Sequence, residues 1–448
     1  MNRSKSLEVD SIGVLLRRFS LPAILGMVVN ALYNIVDSIF VGNGVGEIGL
    51  AAVTIAFPIM MILMGFGMLI GVGAAAETSL YLGAKQQETA EKILGNALTL
   101  SLSLAVGLTA VILAFLDPLL VALGAEPGVL PYARDFMRII LVGSVFMHIG
   151  FGLNSMIRAE GNPRTAMETM LISAVLNMIL NPIFIFGFKM GISGSALATV
   201  ISQFVSAVWV VYYFSSGASL LKLRRCNLRP QRDIVLGIIK IGLSPFLMQV
   251  GASAVIVIFN FQLMKYGGEL AVASIGIIMR VNMLILMPIF GISQGVQPII
   301  GYNYGARQYH RVVEALKMAV LAATLICFAG FAVVQLFNTS IIRLFNDDPQ
   351  LVATGSNGLR ITLMLLPVVG FQIISANYFQ ATGKAGYAIL LSMSRQVVLL
   401  IPFIWLLPGF FGINGIWAAG PLSDLGSFLL TGAYLFRDLR KLQPANGE

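Results

Sequence analysis

Residues 48–76 read IGLAAVTIAFPIMMILMGFGMLIGVGAAA, a stretch without one Asp, Glu, Lys or Arg. About 20 such residues cross the hydrocarbon of a bilayer, so this run spans with residues to spare. Further charge-free runs cover 19–36, 93–116, 139–157, 169–188, 190–221, 241–264, 281–306, 318–342, 361–383 and 396–423. The last contains Pro402 and the turn-like PGFFGING of 408–415, which divides it into two helices, the second continuing past Asp424 to about Phe436. The expected fold is an all-α polytopic membrane protein with twelve transmembrane helices. Composition agrees: 57% of residues are hydrophobic and 11% charged, where a soluble domain carries about 25% charge.

Basic residues set the orientation, because those in short loops are retained on the cytoplasmic side. With the N-terminus inside, 21 of the 29 Lys and Arg lie in cytoplasmic segments and six in outer loops, with Arg280 and Arg395 inside helices. Both termini are therefore expected in the cytoplasm. The net charge of +9 is read as a basic inner face against anionic lipid, with the bilayer and not a nucleic acid as its partner. The polar start MNRSKSLEVDS and the long first run, which lacks a small-residue cleavage site, predict a retained span rather than a signal peptide. Compact loops and no targeting peptide favour a prokaryotic cytoplasmic (inner) membrane. Cys226, Cys327, His148 and His310 are too few and too scattered for a disulfide or a metal-ligand spacing, and no cofactor is expected.

Reading the chain against itself at an offset near 222 brings LGAKQ (82–86) onto YGARQ (304–308), AEGN (159–162) onto ATGK (381–384), GISGSALA (191–198) onto GINGIWAA (412–419) and SLPAIL (20–25) onto GLSPFL (242–247). Each half has six helices, an even number, so the two repeats enter the membrane in the same direction, related by a pseudo-two-fold axis along its normal. The expected division is an N-lobe (1–221), a cytoplasmic linker (222–239) and a C-lobe (240–448). The basic KLRRCNLRPQR (222–232) is read as the linker between the halves, and 215–240 is expected to be cytoplasmic and to tolerate change in its sequence. Two such lobes enclose a cleft that rocking can open to either side, which makes transport the expected function.

Within the stretch LYNIVDSIFVG (32–42) lies Asp37, a carboxylate in a membrane span. It costs at least about 3 kcal/mol to bury there, so it is read as functional. The repeat places Asn260 opposite Asp37, and sets Asn177 and Asn181 against apolar residues or proline. Polar groups needed only for folding should survive in both repeats, and these do not. Asn177 and Asn181 are four residues apart and share a helix face. Pro182 follows, and its ring leaves the carbonyl of Met178 without its helical donor. One carboxylate, two amide oxygens and a loose carbonyl suit a small hard cation, Na⁺ or a proton. In the second half Asp424 is the deepest acid, with Arg280 or Arg395 as its candidate ion-pair partner. Met279, Met283 and Met287 recur every four residues on one face, where adaptable thioethers could line the cleft.

These motifs resemble those of the multidrug and toxic compound extrusion (MATE) transporters over nearly the whole chain: the NxxD of Asn34 to Asp37, the GA[KR]Q loops, the AEGN and ATGK loops, NMILNPIFIFG (177–187) and GxxGxAxATxxSQ (191–203). The resemblance implies export coupled to inward Na⁺ or H⁺ flow. It implies an N-lobe ion site of Asp37, Asn177, Asn181 and Thr199, and a nearby drug site at Asn154, with Tyr33, Asn34 and Gln203 as neighbours. Many members carry Asp where this chain has Asn181, so one carboxylate is implied here rather than two. The substrates implied are amphipathic, often cationic organic molecules, and the protein is expected to act as a monomer.

A lipid-linked-precursor flippase would need a central cleft rich in Arg and Lys, and Arg280 and Arg395 are the only bases in the spans. For an intramembrane enzyme, no Cys/His pair and no paired carboxylates stand one turn apart in a span. A passive channel would need a continuous polar stripe, which 93–116 and 318–342 lack. The chain is therefore read as an antiporter and not an enzyme.

Overall fold

The computed structural model describes residues 3–442, and every regular element among them is helical. In chain order these are α1 (Arg3–Val9), α2 (Ile12–Val45), α3 (Glu47–Gly83), α4 (Gln87–Ala114), α5 (Leu116–Ala122), α6 (Leu130–Ala159), α7 (Pro163–Pro182), α8 (Gly191–Ser215), α9 (Arg232–Gly305), α10 (Tyr309–Arg343), α11 (Pro349–Thr362), α12 (Leu366–Ala381), α13 (Ala385–Met393), α14 (Ile401–Leu406), α15 (Pro408–Phe411) and α16 (Ile413–Leu442). A π-helical turn, Ile183–Gly187, extends α7, and another, Ser394–Leu400, joins α13 to α14. Among the described residues nine helices are long and apolar enough to span, and α11 with α12 forms a further span bent by 49°. Gly268, at φ 63°, breaks α9 into two spans. A further long helix, α16, carries Asp424.

The repeat is written in the backbone as well as in the letters. Left-handed residues fall in pairs: Gly46 with Gly268, Lys85 with Arg307, Gly161 with Gly383, and Gly191 with Gly412. Lys85 and Arg307 lack the freedom of glycine and pay roughly 1–2 kcal/mol for that conformation. In return Gln86 N–H reaches Tyr81 O at 2.8 Å and Gln308 N–H reaches Asn303 O at 2.8 Å, closing each helix end. A strained residue kept at both equivalent loops shows that the loop geometry matters, not the side chain.

The chain divides into two compact units, one containing Leu25–Phe246 and the other Ser11–Ile24 with the residues from Leu247 onward. Each unit thus contains the entering half-helix of the other repeat. In the first unit α3 packs on α6 and α6 on α8, around a core that includes Leu63, Phe136, Met137 and Ile192. Close approach depends on small residues, since lipid supplies no hydrophobic drive between helices. A Cβ on Gly242 would lie 1.7 Å from Leu69 O, and one on Gly73 would lie 2.2 Å from Ile238 O. The second unit repeats the device, where a Cβ on Gly295 would lie 2.7 Å from Ser20 N. There α10 packs on α12, and α11 on α16 beside the buried Trp417.

The basic stretch between the repeats is docked by hydrogen bonds, mostly through its backbone. Thr99 Oγ donates to Leu228 O at 2.7 Å, Gln87 Nε2 to Leu220 O at 2.8 Å, and Gln231 N–H to Asn96 Oδ1 at 2.6 Å. Arg224 pairs with Glu91 at 3.1 Å. The latch is Glu160, which follows α6 and is buried. Its carboxylate accepts from Tyr213 Oη, from Ser219 Oγ at 2.5 Å, and from the backbone N–H of Leu220 at 3.1 Å and Leu221 at 3.4 Å. Burial pushes the Glu160 carboxyl above the ordinary range, and these donors oppose the rise. Replacing Glu160 by Ala removes all four bonds, worth about 1.5–3 kcal/mol each to a charged group when intact. Trypsin cutting of purified protein within 222–232 is then expected to speed up by about tenfold or more, since the strap must open before it is cut. Unchanged cleavage would show that Glu160 does not hold the strap.

Candidate functional site

Three helices of the first unit, α2, α7 and α8, bring Asp37, Asn181 and Ser195 together. The Asn181 amide donates through Nδ2 to Asp37 Oδ1, and Ser195 Oγ donates to the same oxygen at 3.0 Å. One turn earlier on α7, Asn177 Nδ2 donates to Thr199 Oγ1 at 3.1 Å. Asn177, Asn181 and Thr199 are all buried. The two pairs follow from periodicity: 177 and 181 stack on one face of α7, and 195 and 199 stack on the facing side of α8.

The amide oxygens are the telling atoms. Oδ1 of Asn177 and Oδ1 of Asn181 are buried and accept nothing. A buried acceptor left without a donor costs about 1–3 kcal/mol, and these two share the α7 face that meets Asp37 and Thr199. Together with Asp37 and Thr199 Oγ1 they form an all-oxygen set of the kind hard cations prefer. Just beyond them the chain runs through Pro182 into the π-helical turn Ile183–Gly187, the type of helix defect that recurs at functional positions. Among the described residues no group of three or more His, Cys, Asp or Glu could hold a metal ion, so any ion held here relies on neutral oxygens around a single carboxylate.

Other candidate residues fall at varying distances from this centre. Tyr33 is half-buried one turn before Asp37, and Gln203 is half-buried one turn after Thr199. Asn34 is exposed and spends its amide on Asn30 O at 2.7 Å. Asn154, on α6, is buried with Oδ1 unpartnered. Met279 and Met283 are exposed and Met287 half-buried on the second half of α9. Asp424 is buried in the second unit, where Arg395 Nε meets its Oδ1 at 2.6 Å. Of the two bases weighed as its partner, Arg395 takes the place and Arg280 is exposed. Ser195 was not among the residues read from the sequence; its one signal was its position four residues before Thr199.

The MatE family profile matches residues 22–183 and 246–406. The multidrug export protein MepA of Staphylococcus haemolyticus (strain JCSC1435) is 31% identical over 412 residues, covering 92% of this chain and 90% of the relative. MepA of Staphylococcus aureus (strain NCTC 8325 / PS 47) is 30% identical over 424 residues, covering 94% and 93%. Among solved structures, a MOP superfamily transporter from Pyrococcus furiosus Vc1 (DSM3638), described as having a binding pocket of reversed polarity that suggests a different function, superposes with a TM-score of 0.93 at 27% identity, covering 98% of both chains. An outward-facing multidrug resistance MATE family transporter of the same superfamily gives 0.92 at 26%, again covering 98% of both. With the family profile on both repeats and the fold shared from end to end, the chain belongs to the MATE family of membrane transporters.

Proposed function

We propose that this protein is an antiporter, driven by Na⁺ or H⁺, that exports amphipathic, often cationic organic compounds by alternating access across a bacterial cytoplasmic membrane. The names of the relatives support the export of drugs, and one observation supports the coupling: a single carboxylate, Asp37, stands inside a span beside two buried amide oxygens that accept nothing. Asp37, Asn177, Asn181 and Thr199 form the ion site in this reading, with Ser195 added to them.

The chemistry runs through Asp37. Asn181 now faces it with an NH₂ group. Half a turn of that amide exchanges NH₂ for Oδ1, so the same side chain serves as a donor to a bare carboxylate or as a ligand to a cation. Protonation instead removes the charge and leaves the donors partly redundant. Either event changes which contacts α2 makes with α7 and α8, and a ligand shifts a conformational equilibrium only through such differential contacts. Ion entry from outside would thereby favour the state that releases the exported compound. The lobes 1–221 and 240–448 are the bodies that move in this scheme, and the protein acts as a monomer.

The test is uptake of an organic cation dye into proteoliposomes with Na⁺ and H⁺ gradients imposed separately. Acceleration by one gradient supports coupling and names the ion. A rate indifferent to both gradients would end the antiport reading.

Cytoplasmic termini make a second expectation. Cys226 is exposed in the strap between the repeats, and Cys327 is buried. An impermeant maleimide should therefore label Cys226 only in inside-out vesicles, and labelling of intact cells would reverse the orientation.

A further inference from the structure

The strap between the repeats is docked through its backbone and carries its charge outward. Its central part is the 3₁₀ turn Arg225–Leu228, which lies on α4. Asn96 Nδ2 donates to Asn227 O at 3.3 Å, and Thr99 Oγ1 to Leu228 O at 2.7 Å. The approach is tight, since a Cβ on Gly95 would lie 2.3 Å from Asn227 O. Asn227 is buried, and Leu223 and Leu228 are half-buried. Lys222, Arg224, Arg225, Arg229 and Arg232 are all exposed.

Depth decides what these cations face. The last charge at the start of α4 is Lys92, and 93–116 carries none, so hydrocarbon begins near Ile93. Asn96 and Thr99 stand four and seven residues beyond Lys92, about 6 and 10 Å farther along the helix axis. A turn bonded to them is not suspended in the cytoplasm; it lies at the level where lipid headgroups meet acyl chains. An arginine at that level lays its stem along apolar surface and turns its fork of donors to phosphate.

The side chains have little else to hold. Residues 217–232 contain five basic groups and no Asp or Glu. Arg224 pairs with Glu91 at 3.1 Å and stays 59% exposed. Among the described residues Arg225 and Arg229 make no side-chain hydrogen bond or ion pair. Because the backbone is pinned to α4, these like charges are held close together, and an anion among them relieves their repulsion.

We propose that the strap is a binding site for the headgroup phosphate of anionic phospholipids, with Arg225 and Arg229 as the residues that hold it. The site is independent of what the protein exports. A soluble polyanion would have to displace lipid to reach a turn at this depth, whereas a headgroup is already there. Basic groups between helices on the cytoplasmic side are a recurring way to hold such lipids. Bound lipid then fixes the link between the repeats to the membrane surface.

The experiment uses full-length protein with a neutral nitrobenzoxadiazole fluorophore on Cys226, which is exposed in the turn, whereas Cys327 is buried. The protein is placed in phosphatidylcholine nanodiscs containing a minor share of lipid spin-labelled on its acyl chain, either phosphatidylglycerol or phosphatidylcholine. Quenching reports which lipid lies beside the strap. Wild type should prefer phosphatidylglycerol by about tenfold, and Arg225→Gln/Arg229→Gln should lose most of that preference. Arg164→Gln/Arg437→Gln, which removes the same charge from exposed positions elsewhere, should keep it. Soluble glycerol phosphate should reduce the preference no more than sodium chloride of equal ionic strength does. No quenching by either lipid would take the strap away from the membrane and overturn the proposal. Equal quenching by both lipids in wild type, or equal loss in the two double variants, would overturn it as well. Specific displacement by glycerol phosphate would give the site to free phosphate esters and end the lipid assignment.

Discussion

Asp37→Asn is expected to reduce gradient-driven export to the level of vesicles without protein while leaving the fold intact or slightly more stable. Asparagine keeps an oxygen at the position of Oδ1, so Ser195 and Asn181 retain an acceptor. What disappears is the charge. Its burial in a span costs about 3 kcal/mol on insertion scales, and removing it cannot weaken the helix packing by that route. A variant that merely damaged the fold would lose transport and thermal stability together. The expected result separates the two: transport lost, melting temperature in detergent equal or higher, and any stabilisation by Na⁺ or by low pH gone. Full dye export by Asp37→Asn at normal expression would remove Asp37 from the coupling site.

The site was partly legible in the sequence because the costs involved are large. An acid in hydrocarbon and a pair of amides one turn apart both stand out against an apolar background, and the break of symmetry between repeats marks them further. Ser195 did not stand out, because a serine in a span ordinarily bonds back to its own helix, as Ser202 does to Ala198 O at 2.7 Å. Nothing in one letter says which serine has turned outward. The docking of the strap between the repeats was not legible for a related reason. Its side chains are basic and look solvated, but what docks it is mostly its own backbone, met by Asn96, Thr99, Gln87 and Glu160 from elsewhere. Backbone groups carry no sequence signature. The partner of Asp424 was narrowed to two arginines and no further, since Arg395 sits on a π-helical turn, whose change of register spacing alone does not reveal.

Asn181→Asp should convert the site to one that holds Na⁺ more tightly. Asn181 already touches Asp37 Oδ1, so the variant sets two carboxylates in direct contact within a buried site. Both cannot ionise there unless a cation lies between them; without one they share a proton, and the pair titrates as a unit with one step moved up. Na⁺ binding then requires loss of that proton and is strongest at high pH. Each tenfold gain in affinity adds about 1.4 kcal/mol of stabilisation at saturating ion, read as a rise in melting temperature when Na⁺ replaces choline. The expected order of that rise at high pH is Asn181→Asp above wild type, with Asp37→Asn at zero, and the advantage of the double acid should fade as pH is lowered through the range where it takes up its shared proton. In the absence of Na⁺ the double acid should also retain that proton to higher pH than wild type does. Should Asn181→Asp respond to Na⁺ and pH no more than wild type, Asn181 would not be a ligand, and the cation would have to be held by Asp37, Ser195 and Thr199 from α2 and α8 without help from α7.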